Sequence, residues 1–191
     1  MANKKIILFL LVLFFVIPVL GITQEQFDLS ELTKILGETA DNNTGNPVFS
    51  SGDINGDGYD DILISANEND DGGAGAGAVY LIYGQAAEIS DLTLSAATAI
   101  QFTGEAADDD AGVSISSGDI NGDGYDDILI GADFNDGNGL NSGAAYLIYG
   151  QAADLADITL SAATTVKFTG EAAADYAGGS VSLDGDVNCD G

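Results

Sequence analysis

Apolar and polar positions alternate in short runs along most of this chain. A segment such as Val113-Ser114-Ile115-Ser116 places its apolar side chains on one face, the signature of a half-buried strand. Three further runs follow it in order: Ile128-Leu129-Ile130-Gly131-Ala132, then Ala144-Ala145-Tyr146-Leu147-Ile148-Tyr149-Gly150, then Thr165-Val166-Lys167-Phe168-Thr169-Gly170. Gly, Asp and Asn bound each run, the punctuation of short antiparallel strands. Leu29, Leu32, Ile35 and Leu36 sit at helical spacing, but alignment with a later segment predicts a strand there.

That alignment comes from an internal repeat. Gly52-Asp53-Ile54-Asn55-Gly56-Asp57-Gly58-Tyr59-Asp60-Asp61-Ile62-Leu63-Ile64 returns unchanged as residues 118–130, 66 residues later. Phe102-Thr103-Gly104-Glu105-Ala106-Ala107 returns at 168–173, and Leu36-Gly37-Glu38 lines up with Thr103-Gly104-Glu105. A third copy opens with Gly185-Asp186-Val187-Asn188-Cys189-Asp190-Gly191, one residue out of step because of an insertion near Gly178-Gly179. Four strands per unit is the grammar of a β-propeller blade. The prediction is therefore an all-β chain: a partial propeller of two full blades, each of four antiparallel strands, plus the start of another. Two blades cannot close a ring, so the sequence reads as a piece of something longer, with an open array that oligomerises as the alternative.

Each loop carries the candidate chemistry. Oxygen side chains stand at loop positions 1, 3, 5 and 9: Asp53, Asn55, Asp57 and Asp61, then Asp119, Asn121, Asp123 and Asp127. The carbonyls of Tyr59 and Tyr125 fill position 7, and Asp186, Asn188 and Asp190 begin the third set. Hard cations such as Ca2+ take six to eight oxygens at roughly 2.3–2.6 Å, and alternate oxygens on a tight loop supply them. The paired glycines permit the positive φ that such a coil requires. An EF-hand is excluded, because position 12 is Ile64 or Ile130 and the flanks are strand-like. The competing reading is plain turn chemistry, for which Asp, Asn and Gly also serve.

These features together resemble the FG-GAP repeat, which builds the seven-bladed β-propeller at the N-terminus of integrin α chains and of many bacterial extracellular proteins. The loop, the Gly-Ala after its strand, and Val79-Tyr80-Leu81-Ile82-Tyr83-Gly84 carry the likeness over about residues 28–191. The resemblance implies Ca2+ at positions 1, 3, 5, 7 and 9, holding structure rather than doing chemistry, and a ring of seven blades of which this chain is part. The chain departs where the family has Phe-Gly, here Thr44-Gly45, Ala111-Gly112 and Ala177-Gly178. It departs again where the family has Gly-Ala-Pro, here Ser65-Ala66-Asn67 and Gly131-Ala132-Asp133.

Composition narrows the function further. Acidic residues number 31 against four basic ones, a net charge of −27, so nucleic acid is excluded as a partner. An apolar content of 46% argues against disorder. Residues 1–21 read as a signal peptide: Lys4 and Lys5 precede an apolar run from Ile6 to Leu20, too short to cross a bilayer, with cleavage expected after Gly21. Residues 22–191 would then form the repeats, with loops at 53–61 and 119–127 and a truncated one at 186–191. The mature protein is expected to be secreted or held at the cell surface, with no membrane span. A chain without His and with the single Cys189 has no His-based triad, and no Gly-x-Ser-x-Gly elbow is present, so no enzyme activity is expected. The carboxylate pairs Asp60/Asp61 and Asp126/Asp127 are adjacent in sequence, the wrong arrangement for a glycosidase. The expected function is recognition of an extracellular protein or polysaccharide, an adhesion-like role, through the variable loops 67–77 and 133–143. The alternatives are a non-catalytic part of a larger extracellular enzyme and a purely structural surface or matrix component. Asn42-Asn43-Thr44 fits a glycosylation sequon.

Overall fold

The computed structural model describes residues 33–94, 99–162 and 165–183. The leader, the third loop and Cys189 lie outside them. The described chain contains eleven strands and no helix. Strands β2 (Val48–Gly52), β3 (Asp61–Ala66), β4 (Ala78–Ile82) and β6 (Ile100–Thr103) form one antiparallel meander. Strands β7 (Ser114–Gly118), β8 (Asp127–Ala132), β9 (Ala144–Ile148) and β11 (Val166–Thr169) repeat it. Each is a four-stranded blade, and the strands fall on the four predicted runs. The first strand pair differs between the blades: a bulge at Ser50/Gly52 breaks the β2–β3 register, whereas β7–β8 runs without one.

Strands of only two residues escaped the periodicity. β1 (Ile35–Leu36) pairs in parallel with β5 (Leu92–Thr93), and β6 pairs in parallel with β10 (Ile158–Thr159). The two pairings are copies of one device: Ile35 faces Leu92 as Phe102 faces Ile158. Even the side-chain clasp repeats, with Asp91 accepting from Lys34 N–H and Asp157 from Gln101 N–H, both at 2.8 Å. The strand at Ile35–Leu36 is thus the outer strand of a preceding unit, as the repeat alignment predicted and the helical spacing did not. Leu29 and Leu32 are outside the described residues.

The core lies between the blades. Ile54, Leu63, Val79, Leu81 and Phe102 of the first blade meet Ile115, Ile128, Ile130, Tyr146 and Ile148 of the second. Alternation explains why: within each strand, one set of side chains faces the blade ahead and the other the blade behind. The second blade's own forward face shows what that contact contributes. Phe102 is 0% exposed, while its counterpart Phe168 is 54% exposed and lines a hollow of about 430 Å³ with Leu129 and Leu147. Residues 177–183 already lie against this face, Leu183 N–H donating to Ser116 Oγ at 3.0 Å.

Candidate functional site: the paired acidic loops

The meander places each acidic loop between the first and second strands of its blade, and the closing acid opens the second strand. Asp61 is the first residue of β3 and Asp127 the first of β8. Both are fully buried. Their carboxylates tie the loop to the sheet. Asp61 accepts from Ile54 N–H at 2.9 Å and Gly84 N–H at 2.8 Å; Asp127 accepts from Ile120 N–H at 3.1 Å and Gly150 N–H at 2.9 Å. Burial pushes both carboxyls above the usual range, the backbone donors pull them back, and the Asp57 and Asp53 or Asp123 and Asp119 charges push again.

The loop tips wrap in the predicted way. Gly56 and Gly58 have φ of 73° and 88°, Gly122 and Gly124 of 74° and 88°. Asp53 accepts from the N–H groups of Asp57 and Gly58, Asn55 from Asp57, and Asp57 from Tyr59. Asp119, Asn121 and Asp123 repeat these bonds. The donor set is therefore three carboxylates and an amide per loop, within mutual electrostatic reach, which is the chemistry a hard divalent cation takes. Their spacing is looser than that of a finished cage. Among the described residues no three acidic, Cys or His side chains converge as metal ligands, and oxygens of Asp53, Asp57 and Asp61 accept from backbone N–H groups. Lone pairs remain on each, so the residue types suit a hard cation. Asp186, Asn188 and Asp190 lie outside the described residues.

Sequence reasoning missed the residue at position 8. Asp126 reaches across to the first loop, its carboxylate accepting from Asp53 N–H at 2.9 Å, while Asp126 N–H donates to Asp53 O at 3.2 Å. Gln151 N–H donates to Ile54 O at 3.1 Å. A Cβ on Gly56 would come within 2.5 Å of the Tyr125 ring, so glycine is needed there for close approach as well as for φ. Successive loops are docked on one another. Asp60 and Tyr59, the counterparts in the first loop, are exposed, which is why identical sequence did not reveal the contact.

A second conserved arrangement within the repeat joins blades on the opposite ends of the strands. Tyr80 donates to Glu38 at 3.0 Å and Tyr146 to Glu105 at 2.7 Å, with Asn69 and Asn135 donating to the two tyrosine oxygens. Burial first, then the neighbouring glutamate, drives both phenols well above the ordinary tyrosine range. Lys167 closes the second network, 2.5 Å from Glu105 and 5.4 Å from the Tyr146 ring centre. In the first, Gln101 occupies that place and donates to Tyr80 at 3.2 Å. The pattern lay in the sequence as Glu38/Glu105 and Tyr80/Tyr146 at matching offsets. Asn42 of the sequon is buried, so the folded chain does not present it for glycosylation.

No curated protein matches the chain. The family model for the FG-GAP repeat matches twice, at residues 46–82 and 111–148, each span running from the first strand of a blade through its loop to the third strand. FG-GAP repeats are typical of extracellular and surface proteins, and no helix among the described residues is long and apolar enough to cross a membrane. With two family matches laid over two copies of the same four-stranded sheet, the chain carries two FG-GAP repeats.

Proposed function

We propose that this chain is the non-catalytic, calcium-stabilised recognition module of a secreted or cell-surface protein, binding a protein or surface polymer through its variable loops. The observation that carries the calcium reading is the same oxygen set at the same offsets in two loops, each crowded enough for its charges to oppose one another. Asp53, Asn55, Asp57 and Asp61 would hold one ion and Asp119, Asn121, Asp123 and Asp127 another, with the Tyr59 and Tyr125 carbonyls completing the sets. A bound cation neutralises that repulsion and fixes the loop between its two strands. Because the first loop is docked on the second, the ions would also stiffen the junction between blades.

The loops at 67–77 and 133–143 connect β3 to β4 and β8 to β9, at the strand ends away from the acidic loops. They stand on a fixed scaffold and differ between copies, which supports recognition there. Thermal melts with added Ca2+ and with excess EDTA test the calcium role: a ligand that binds only the folded form raises the midpoint. A midpoint indifferent to the chelator would remove calcium from the account.

A further inference from the structure

The two acidic loops are identical in sequence and unequal in surroundings. Residues of the second blade close over the first loop. Gln151 N–H donates to Ile54 O at 3.1 Å, and Asp126 exchanges two hydrogen bonds with Asp53. The linker that follows β9 then passes the loop tip. Leu155 N–H donates to the Tyr83 hydroxyl at 2.7 Å, an anchor for the neighbouring Asp154. Asn55 Nδ2 donates to Asp154 Oδ1 at 3.4 Å, between residues 99 apart in sequence. The first repeat carries Glu88 at the place of Asp154, so an acid recurs there.

Asp154 shares its electrostatic surroundings with the loop acids. Burial raises the Tyr83 phenol above its ordinary value, and the Leu155 donor offsets part of that rise. The charges of Asp154, Asp61 and Asp57 then raise it further. One tyrosine therefore feels the linker acid and two loop carboxylates together.

The side-chain amide of Asn55 has two unlike ends, and only its oxygen suits a cation. Nδ2 donates to Asp57 Oδ2 at 3.2 Å as well as to Asp154, while Oδ1 accepts from Asp57 N–H at 3.1 Å. Asp57 is itself one of the proposed cation donors, so a cation competes for the carboxylate that Nδ2 bonds within the loop. Asp154 stands outside that donor set and is not subject to the competition. In the second loop Asn121 Nδ2 donates to Asp123 Oδ2 at 3.0 Å, and among the described residues no acid of another blade supplements that bond. A carboxylate beside a cation site also raises the local concentration of cations.

We propose that Asp154 is a positioning residue for the first cation site, holding the Asn55 amide with its oxygen on the loop side, so that two loops of one sequence bind Ca2+ with different affinities, the first more tightly. This rests on the calcium reading of the loops and deepens it. The first loop fills at a lower calcium concentration than the second. Filling it favours the docked junction, because an ion that prefers the docked form stabilises that form in return. Outer partners of metal ligands typically contribute 10–100-fold in affinity, and the exposed Asp154 belongs at the lower end.

The test is isothermal calcium titration of the chelator-treated full chain in two backgrounds. Asp123→Ala leaves the first loop intact, and Asp57→Ala leaves the second. The first background should bind more tightly than the second, by a factor of about ten. Adding Asp154→Ala should remove that advantage in the first background and change nothing in the second. Asp154→Glu, which installs the acid of the first repeat, should keep the affinity of the first loop; a loss caused by damaged packing would not be rescued in this way. Equal affinities in the two backgrounds, no loss on Asp154→Ala in the first, or an equal loss in both (the mark of a general charge effect) overturns the role of Asp154 and leaves calcium binding standing. No calcium binding by the parent chain overturns the calcium reading and this inference with it.

Discussion

The Asp126 carboxylate accepts a hydrogen bond from the backbone N–H of Asp53 at 2.9 Å, joining the eighth position of the second acidic loop to the first position of the first. A Cβ placed on Gly52 would lie 2.0 Å from that same carboxylate, and Gly52 has a φ of 67°. Asp126→Ala should therefore destabilise the chain by ~1 kcal/mol, the ordinary net value of one such bond. Asp60→Ala, at the same position of the exposed loop, should be close to neutral. Denaturant melts of the two variants check the asymmetry. Equal effects would mean that the cross-blade bond contributes nothing.

Gly52→Ala should be worse than Asp126→Ala, because it adds backbone strain to the displacement of the Asp126 side chain. Combining it with Asp126→Ala removes the obstruction and leaves only the strain. The double variant should then be less destabilised than the sum of the two single changes. A double-mutant cycle in urea reads this directly, and strict additivity would contradict the contact.

Buried tyrosine hydroxyls hold the opposite ends of the blades together. Tyr146→Phe leaves Asn135 without one acceptor and Glu105 without one donor, for a loss of about 1–2 kcal/mol. Lys167→Gln installs the residue that the first repeat uses at Gln101, so it should cost less than ~1 kcal/mol in keeping with a partly exposed ion pair. Thermal melts at low and high salt distinguish the two, since only the Lys167 change should reduce salt sensitivity.

Asp110 carries a pH signature. Burial first, then the charges of Asp133, Glu68, Asp108 and Asp109, push its carboxyl up to about 6. A raised acid pKa means that the folded chain holds its proton more tightly than the unfolded chain. Between the ordinary aspartate value and about 6, stability should therefore fall as pH rises. Asp110→Asn keeps a side chain suited to the left-handed backbone and removes the ionisation. It should raise the melting temperature at neutral pH and flatten its decline above pH 5, as measured by melts across that window.

The blades were legible in the sequence because alternation, punctuation and a repeat of 66 residues agreed with one another. Short parallel pairings such as Ile35 with Leu92 were not, since two residues carry no period. The turn at Asp53, Asn55 and Asp57 and its glycine conformations were legible for a similar reason: local spacing defines a turn. The Asp126–Asp53 bond was hidden because Asp60 and Asp126 have identical neighbours and acquire different roles only when one blade stacks on the next. The Tyr146–Glu105–Lys167 network depends on the same stacking. Repeat identity tells which residues are equivalent, but not which side of the junction each one occupies.

Calcium stoichiometry tests the central claim. Isothermal titration of chelator-treated protein should show that Asp57→Ala and Asp123→Ala each remove one bound Ca2+, and that the two changes together remove both. Unchanged stoichiometry in either variant, or no calcium binding by the parent chain, would contradict the assignment of the acidic loops.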